Sequence, residues 1–175
     1  MSIPAQRPAQ LSFRAVNRHG TPSYDPGLQR HHLLPRQLLT TRCFGKLFSA
    51  AGADRLGFDD FRRNGLLLPA SDAAALRIGL PLHRGPHRSY NALVIERVGQ
   101  IEAGWAARTA RTPDVALQDA YMRLGLLQRA LRRRLLDVVR KPFALNRNDP
   151  LGGVVDFAEL DAMADALWPA TELSG

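Results

Sequence analysis

One stretch constrains the fold of this chain more than any other. From residue 112 onward, Leu117, Tyr121, Leu124, Leu127, Leu131, Leu135 and Val138 step by three or four. That spacing gathers them on one stripe of a helix, and a stripe of that length must bury against something. Thr112 supplies a cap and Pro113 the first helical residue, where a missing N–H costs nothing; Pro142 ends the run. Residues 20 to 90 read differently. Gly and Pro are frequent there and apolar runs are short, which favours an irregular, loop-rich half over a regular bundle. At 175 residues the chain is one domain by size, long enough to bury a core without staples.

The pattern predicts the following elements. Residues 1–27, rich in Pro, Gln, Arg and Gly, read as an extended arm, with Tyr24-Asp25-Pro26-Gly27 as a turn. Residues 28–34 suit a short strand ending near the histidine pair. Pro35 then opens a helix to about Ala51, its apolar positions Leu39, Cys43, Leu47 and Ala51 four apart, and Gly52 stops it. Residues 53–70 read as a loop and a short strand at Leu66 to Leu68, with Asn64-Gly65 as a turn signal. Ser71 and Asp72 cap a short helix over 73–78. Pro86 fits the first turn of a helix reaching about Trp105, lined by Val94, Val98 and Ile101. Residues 143–155 read as a loop, and Asp156 with Glu159 starts a last short helix ending near Trp168. Cys43, the single cysteine, cannot form an internal disulfide and is expected to be a buried thiol acting as a small hydrophobe.

Lys plus Arg number 24 against 16 Asp plus Glu, a formal charge of +8, and only Lys46 and Lys141 are lysines. Guanidinium groups offer a rigid fork of donors suited to phosphate, and a basic surface draws in polyanions. On charge alone, solubility and arginine-rich usage explain the excess equally well. The first 30 residues lack the continuous apolar run of a cleavable signal peptide, and no window reaches the length of a membrane span. The expectation is therefore a chain without a membrane anchor, cytoplasmic or exported by a route that needs no such peptide.

Four of the five histidines fall in two tight clusters: His31-His32, and His83-Arg84-Gly85-Pro86-His87. The gap between His83 and His87 can bring two imidazoles to one ion when the second opens a helix. Neutral imidazole is a natural ligand for zinc, nickel or iron. Adjacent histidines on a strand point to opposite faces. At an irregular strand end both can serve one site, one through metal and one through water. A hydrolase needs that division: an ion on the phosphate and a base on the water. Scattered surface histidines remain the plain alternative to this reading.

Three segments in order carry a family resemblance: Arg30-His31-His32-Leu33-Leu34-Pro35; then Gly57-Phe58-Asp59-Asp60 with Asn64-Gly65-Leu66-Leu67-Leu68-Pro69; then Leu82-His83-Arg84-Gly85-Pro86-His87-Arg88-Ser89-Tyr90-Asn91. The set resembles the AHH branch of the HNH/endonuclease VII (His-Me finger) nucleases, a branch typical of bacterial toxins and secreted effectors. It spans residues 28 to about 98, and Arg30 stands where the name motif has alanine. The resemblance implies an α+β chain: a ββα-metal core embedded in a mostly helical single domain. The division expected is an arm over 1–27, the nuclease core over 28–105, and a helical extension over 106–175 packed on that core.

Carried over by residue, His32 matches the general base, and His31, His83 and His87 match the ligands of one divalent ion: Zn, Mg, Ni or Mn. Asn64 matches the middle asparagine, which braces the loop that positions the base and is counted with His32 in the catalytic set. A shift of one residue would exchange His31 and His32. Arg30, Arg84, Arg88 and Asn91 flank the motif and are candidate nucleic-acid contacts. Tyr90 and Asn91 suit either the phosphate or helix packing. Arg132 and Arg133, in the run Arg132-Arg133-Arg134, are either further backbone contacts or a solvated helix face.

The activity implied is metal-dependent hydrolysis of phosphodiesters, DNA ahead of RNA, in a toxin or effector with an acidic immunity protein as partner. The rivals are a non-catalytic nucleic-acid binder, which leaves the paired histidines idle, and a metal-independent ribonuclease using them as acid and base. A structural zinc module is a third, but closed sites usually include cysteine.

Overall fold

The computed structural model describes residues 10–85, 87–137, 145 and 149–151. Its one sheet among these residues has two antiparallel strands, β1 (Leu28–His32) and β2 (Gly65–Pro69), in the register Leu28↔Pro69, His31↔Leu66 and His32↔Gly65. Between them lie four short helices: α1 (Gln37–Thr40), α2 (Gly45–Ala51), α3 (Ala53–Leu56) and α4 (Phe61–Asn64). After β2 come α5 (Asp72–Ile78) and two long helices, α6 (Arg88–Thr109) and α7 (Pro113–Leu136). The chain is therefore α+β and mostly helical, with the hairpin and the start of α6 forming the ββα unit.

Strand alternation decides which side chains go where. Gln29, His31, Leu66 and Leu68 share one face; His31, Leu66 and Leu68 are buried there. Arg30, His32 and Gly65 lie on the other. The core joins Leu33, Leu34, Leu38 and Leu47 to Val94 and Val98 of α6 and to Leu124 and Leu131 of α7, all at or near zero exposure. Helices α6 and α7 form an antiparallel pair joined by residues 110–112, and make the most extensive helix–helix contact.

Several sequence expectations meet a different outcome. The helix over 35–51 is broken: α1 ends at Thr40, a 3₁₀ turn occupies Arg42–Phe44, and α2 follows. The break rotates Cys43 off the apolar side, so the thiol is exposed rather than buried. Residues 53–70 hold two helical turns before the strand. Asn64 ends the second and Gly65 begins β2. The stripe of α7 runs through Ala116 and Ala120, with Leu117 and Tyr121 at its half-buried edge. Thr112 precedes α7 without a side-chain cap, whereas Ser71 caps α5 by accepting from Ala74 N–H. Residues 10–27 do not run as a free extended arm, because they fold back on the hairpin as described below. Val138, most of the 143–155 segment and the helix expected over 156–168 lie outside the described residues. No helix among the described residues is long and apolar enough to cross a membrane.

Candidate active site

His31, His83 and His87 converge. Each offers one nitrogen, and the three lie within 4.8 Å of one another. His31 comes from the buried face of β1, His83 from the loop after α5, and His87 immediately precedes α6. Three backbone features bring the loop to the strand. His83 N–H donates to the Pro69 carbonyl at 2.7 Å, Leu82 N–H donates to the buried Asp149 carboxylate at 2.9 Å, and Gly85 takes a φ of +77°. Nothing crowds Gly85, so it is the left-handed conformation that calls for glycine. Tyr90, fully buried, lies edge-on to the His31 ring at 4.9 Å and donates to the Leu33 carbonyl at 2.7 Å. Its place is beneath the site, which decides between the two readings of Tyr90 in favour of helix packing.

The imidazole nitrogens are sorted by their partners. His31 Nε2 and His87 Nδ1 are enclosed and make no hydrogen bond. The backbone of Leu145 stands beside the His87 ring. His83 Nδ1 faces Gln29 Oε1 at 3.2 Å. Buried nitrogens without partners are costly unless something else satisfies them. Burial, then the neighbouring rings of His83, His87 and His32, hold His31 well below its ordinary pKa. Burial, then His87 and His32, bring His83 to about 4. Burial lowers His87 as well, against an opposing contribution from its bond to Leu145. Three neutral imidazoles with inward lone pairs suit a divalent ion. Bonds of about 2 Å put ligands of one ion up to roughly 4 Å apart, so small side-chain rotations would close the set.

His32 stands on the opposite face of β1. Its ring is stacked on Phe13, with centroids 3.8 Å apart and planes 3° from parallel. Phe13 lies edge-on to Phe61 at 5.1 Å. Phe61 in turn occupies the space above Gly65, where an added Cβ would stand 2.2 Å from the ring. The segment bearing Phe13 is tied down by backbone and side-chain bonds. Phe61 N–H donates to Leu11 O at 2.7 Å, Ser12 bridges Asp60, and Arg30 donates to Phe13 O at 2.8 Å. His32 Nε2 is enclosed and unpartnered. Burial first, and then Arg36 and Arg30 against an opposing Asp59, lower its pKa.

Asn64 is fully buried. Its Oδ1 accepts from Leu34 N–H at 2.8 Å and its amide donates to Leu34 O and Phe58 O, both at 3.1 Å. Its own carbonyl accepts from Leu33 N–H at 2.8 Å. Asn64 thus ties the segment after His32 and reaches no open site. Arg84, Arg88 and Arg133 are exposed and Asn91 is half-buried. Arg132 donates to the carbonyls of Arg62 and Gly65, both at 2.8 Å. His19 lies edge-on to Tyr24, away from both clusters.

The match of the chain to the AHH family, described as a nuclease family of the HNH/ENDO VII superfamily with conserved AHH, covers residues 12–124. That is more than half of the sequence. The chain belongs to the AHH nuclease family. No curated relative and no solved structure matches it. The matched region of this AHH chain begins inside the expected arm, one residue before Phe13, and ends inside the expected extension. Sequence reasoning missed Phe13, Phe61, Gln29, Leu145 and Asp149. Strand period alone points to Gln29, two residues before His31. Nothing in the pattern points to Phe13, nineteen residues before the ring it covers.

Proposed function

We propose that this AHH nuclease is a single-ion endonuclease that hydrolyses phosphodiester bonds, DNA ahead of RNA. The observation that supports it is the convergence of three neutral imidazoles with inward nitrogens beside a fourth histidine on the other face of the same strand. His31, His83 and His87 would hold the ion, and no cysteine or carboxylate joins them among the described residues. Three protein ligands leave positions open for substrate, unlike a closed structural site. An all-nitrogen set favours Zn, Ni or Co over Mg, which prefers oxygen. When bound, the ion supplies a positive charge that offsets the charge developing on the phosphate.

His32 acts as the general base. It is neutral at pH 7, because its lowered pKa keeps the proton off. Its Nε2 is enclosed, so Nδ1 is the nitrogen that takes the proton from the attacking water. Phe13 holds the ring plane, and Asn64 holds the chain that follows it. Water as nucleophile needs no 2′-hydroxyl, which is why DNA comes first. Arg30, Arg84, Arg88, Asn91 and Arg133 would meet substrate phosphates, which carry no sequence code. Arg132 would act from beneath, on the Gly65 carbonyl opposite His32. The formal +8 charge suits both a polyanionic substrate and a small acidic immunity protein, as a toxin or effector would need.

The deciding experiment incubates purified protein with plasmid DNA and with RNA, with each of Zn²⁺, Ni²⁺, Co²⁺, Mn²⁺ and Mg²⁺, and with chelator. Nicking of plasmid that chelator abolishes and metal restores supports the reading. Cleavage of RNA alone, unaffected by chelator, replaces it with acid–base catalysis by the histidine pair.

A further inference from the structure

The backbone of His83 is fixed from both sides: its own N–H bonds Pro69 O, and the preceding N–H bonds Asp149. Its side-chain torsions are not fixed by those bonds. A half-buried imidazole in a loop has several rotamers and two neutral tautomers. Only one tautomer, with the proton on Nδ1, leaves Nε2 free to bind an ion. The structure offers one side chain that chooses between them. Gln29 Oε1 lies 3.2 Å from His83 Nδ1. A carbonyl oxygen can only accept, so the contact requires the proton on Nδ1 and leaves the lone pair on Nε2. Gln29 shares its strand face with His31, two residues away. One strand therefore carries a ligand and the support for a second ligand that arrives from a loop more than fifty residues later.

We propose that Gln29 is a positioning residue that sets the tautomer and ring orientation of His83 for metal binding. The proposal rests on the single-ion reading above. The Leu145 backbone stands beside His87, whose Nδ1 is enclosed without a partner. Partners behind metal-bound histidines are worth 10- to 100-fold in affinity in general.

The test uses the full chain with Gln29→Leu and Gln29→Glu. Two readouts are taken: calorimetric titration with Zn²⁺ or Co²⁺ alone, and the long-range ¹⁵N–¹H pattern of His83 in metal-free protein. Gln29→Leu is expected to weaken metal binding about 10- to 100-fold and to leave His83 a mixture of tautomers. Gln29→Glu, which keeps an acceptor, should restore a single Nδ1–H tautomer and parent-like or tighter binding. A leucine variant that binds within twofold of the parent with the parent's tautomer overturns the proposal. If the parent itself binds no metal, the single-ion reading fails, and the tautomer pattern still decides the role of Gln29. Thermal melts of each variant separate loss of fold from loss of orientation.

Discussion

The two faces of β1 are built on different physics. On the inner face, His31 meets His83 and His87 in a cage of neutral rings, two of them with buried, unsatisfied nitrogens. On the outer face, His32 lies flat against Phe13, which leans on Phe61 above Gly65. Of the inner histidines, His83 is turned by a hydrogen bond to Gln29, whereas His31 packs edge-on against Tyr90 with its Nε2 unpartnered. The outer one is directed by shape and leaves one nitrogen open. A ligand needs its lone pair aimed at a point, which a hydrogen bond on the far ring nitrogen achieves. A base must hold its ring against a mobile water, which a stacked aromatic achieves without competing for protons. Adjacent residues can do both only because a strand sends successive side chains to opposite sides.

The comparison breaks first at the metal. His87→Ala should lose both metal affinity and nuclease activity, because the proposed site would lose one of three ligands and with it the ion that would clamp the phosphate. Calorimetry and plasmid nicking read the two effects together; retention of both would remove the inner face from the mechanism. His32→Ala should retain parent-like metal affinity while activity falls on the order of 100- to 10,000-fold. If His31→Ala instead gives that pattern and His32→Ala loses metal, the faces exchange roles.

The next test is smaller and sharper. Phe13→Ala should leave metal affinity unchanged and lower activity by up to about 100-fold, the scale of a misplaced reacting group. Part of the loss should return in Phe13→Tyr, which keeps a ring to stack. Since stacking also encloses His32, the alanine variant should move the acid limb of the pH–rate profile upward. An unchanged profile with full activity would make the stack mere packing.

The smallest effect is on stability. His83 titrates at about 4 when folded, against an ordinary 6.5, and His31 is lowered too. Below pH 6.5 the unfolded chain therefore binds more protons than the folded one, so acid favours unfolding. Metal-free protein should hold its Tm above pH 6.5 and lose it progressively toward pH 4. Calorimetric scans across that window check this, and a constant Tm would mean the cage is not dry.

Spacing made the inner face legible. Residue type and spacing marked the two histidine clusters, the family resemblance put His31 with His83 and His87, and the structure brings those three together; Pro86 and the apolar positions Val94 and Val98 marked a helix beginning beside the second cluster. Leu66 to Leu68 was readable as a short apolar run between Asn64-Gly65 and Pro69, and the stripe of α7 from its period. Cys43 was misread because its four-residue spacing suits one continuous helix, and the turn over Arg42–Phe44 interrupts that helix. The residues 10–15 were misread because Pro, Gln and Arg carry no period, so a segment that folds back looks the same as one that does not.

What the sequence determined by itself is the chemistry available: four histidines in two clusters, an Asn before a strand, and a helical second half with one apolar stripe. Those are properties of residue type and local spacing, and they survive without knowledge of contacts. Tertiary structure alone decided how each ring is held. That Phe13 covers His32, and that Gln29 and Leu145 stand beside His83 and His87, depend on segments 19 to 58 residues apart meeting in space. Stacking and hydrogen bonding act over a few ångströms, and no local period in a chain records which distant residue will arrive within that range.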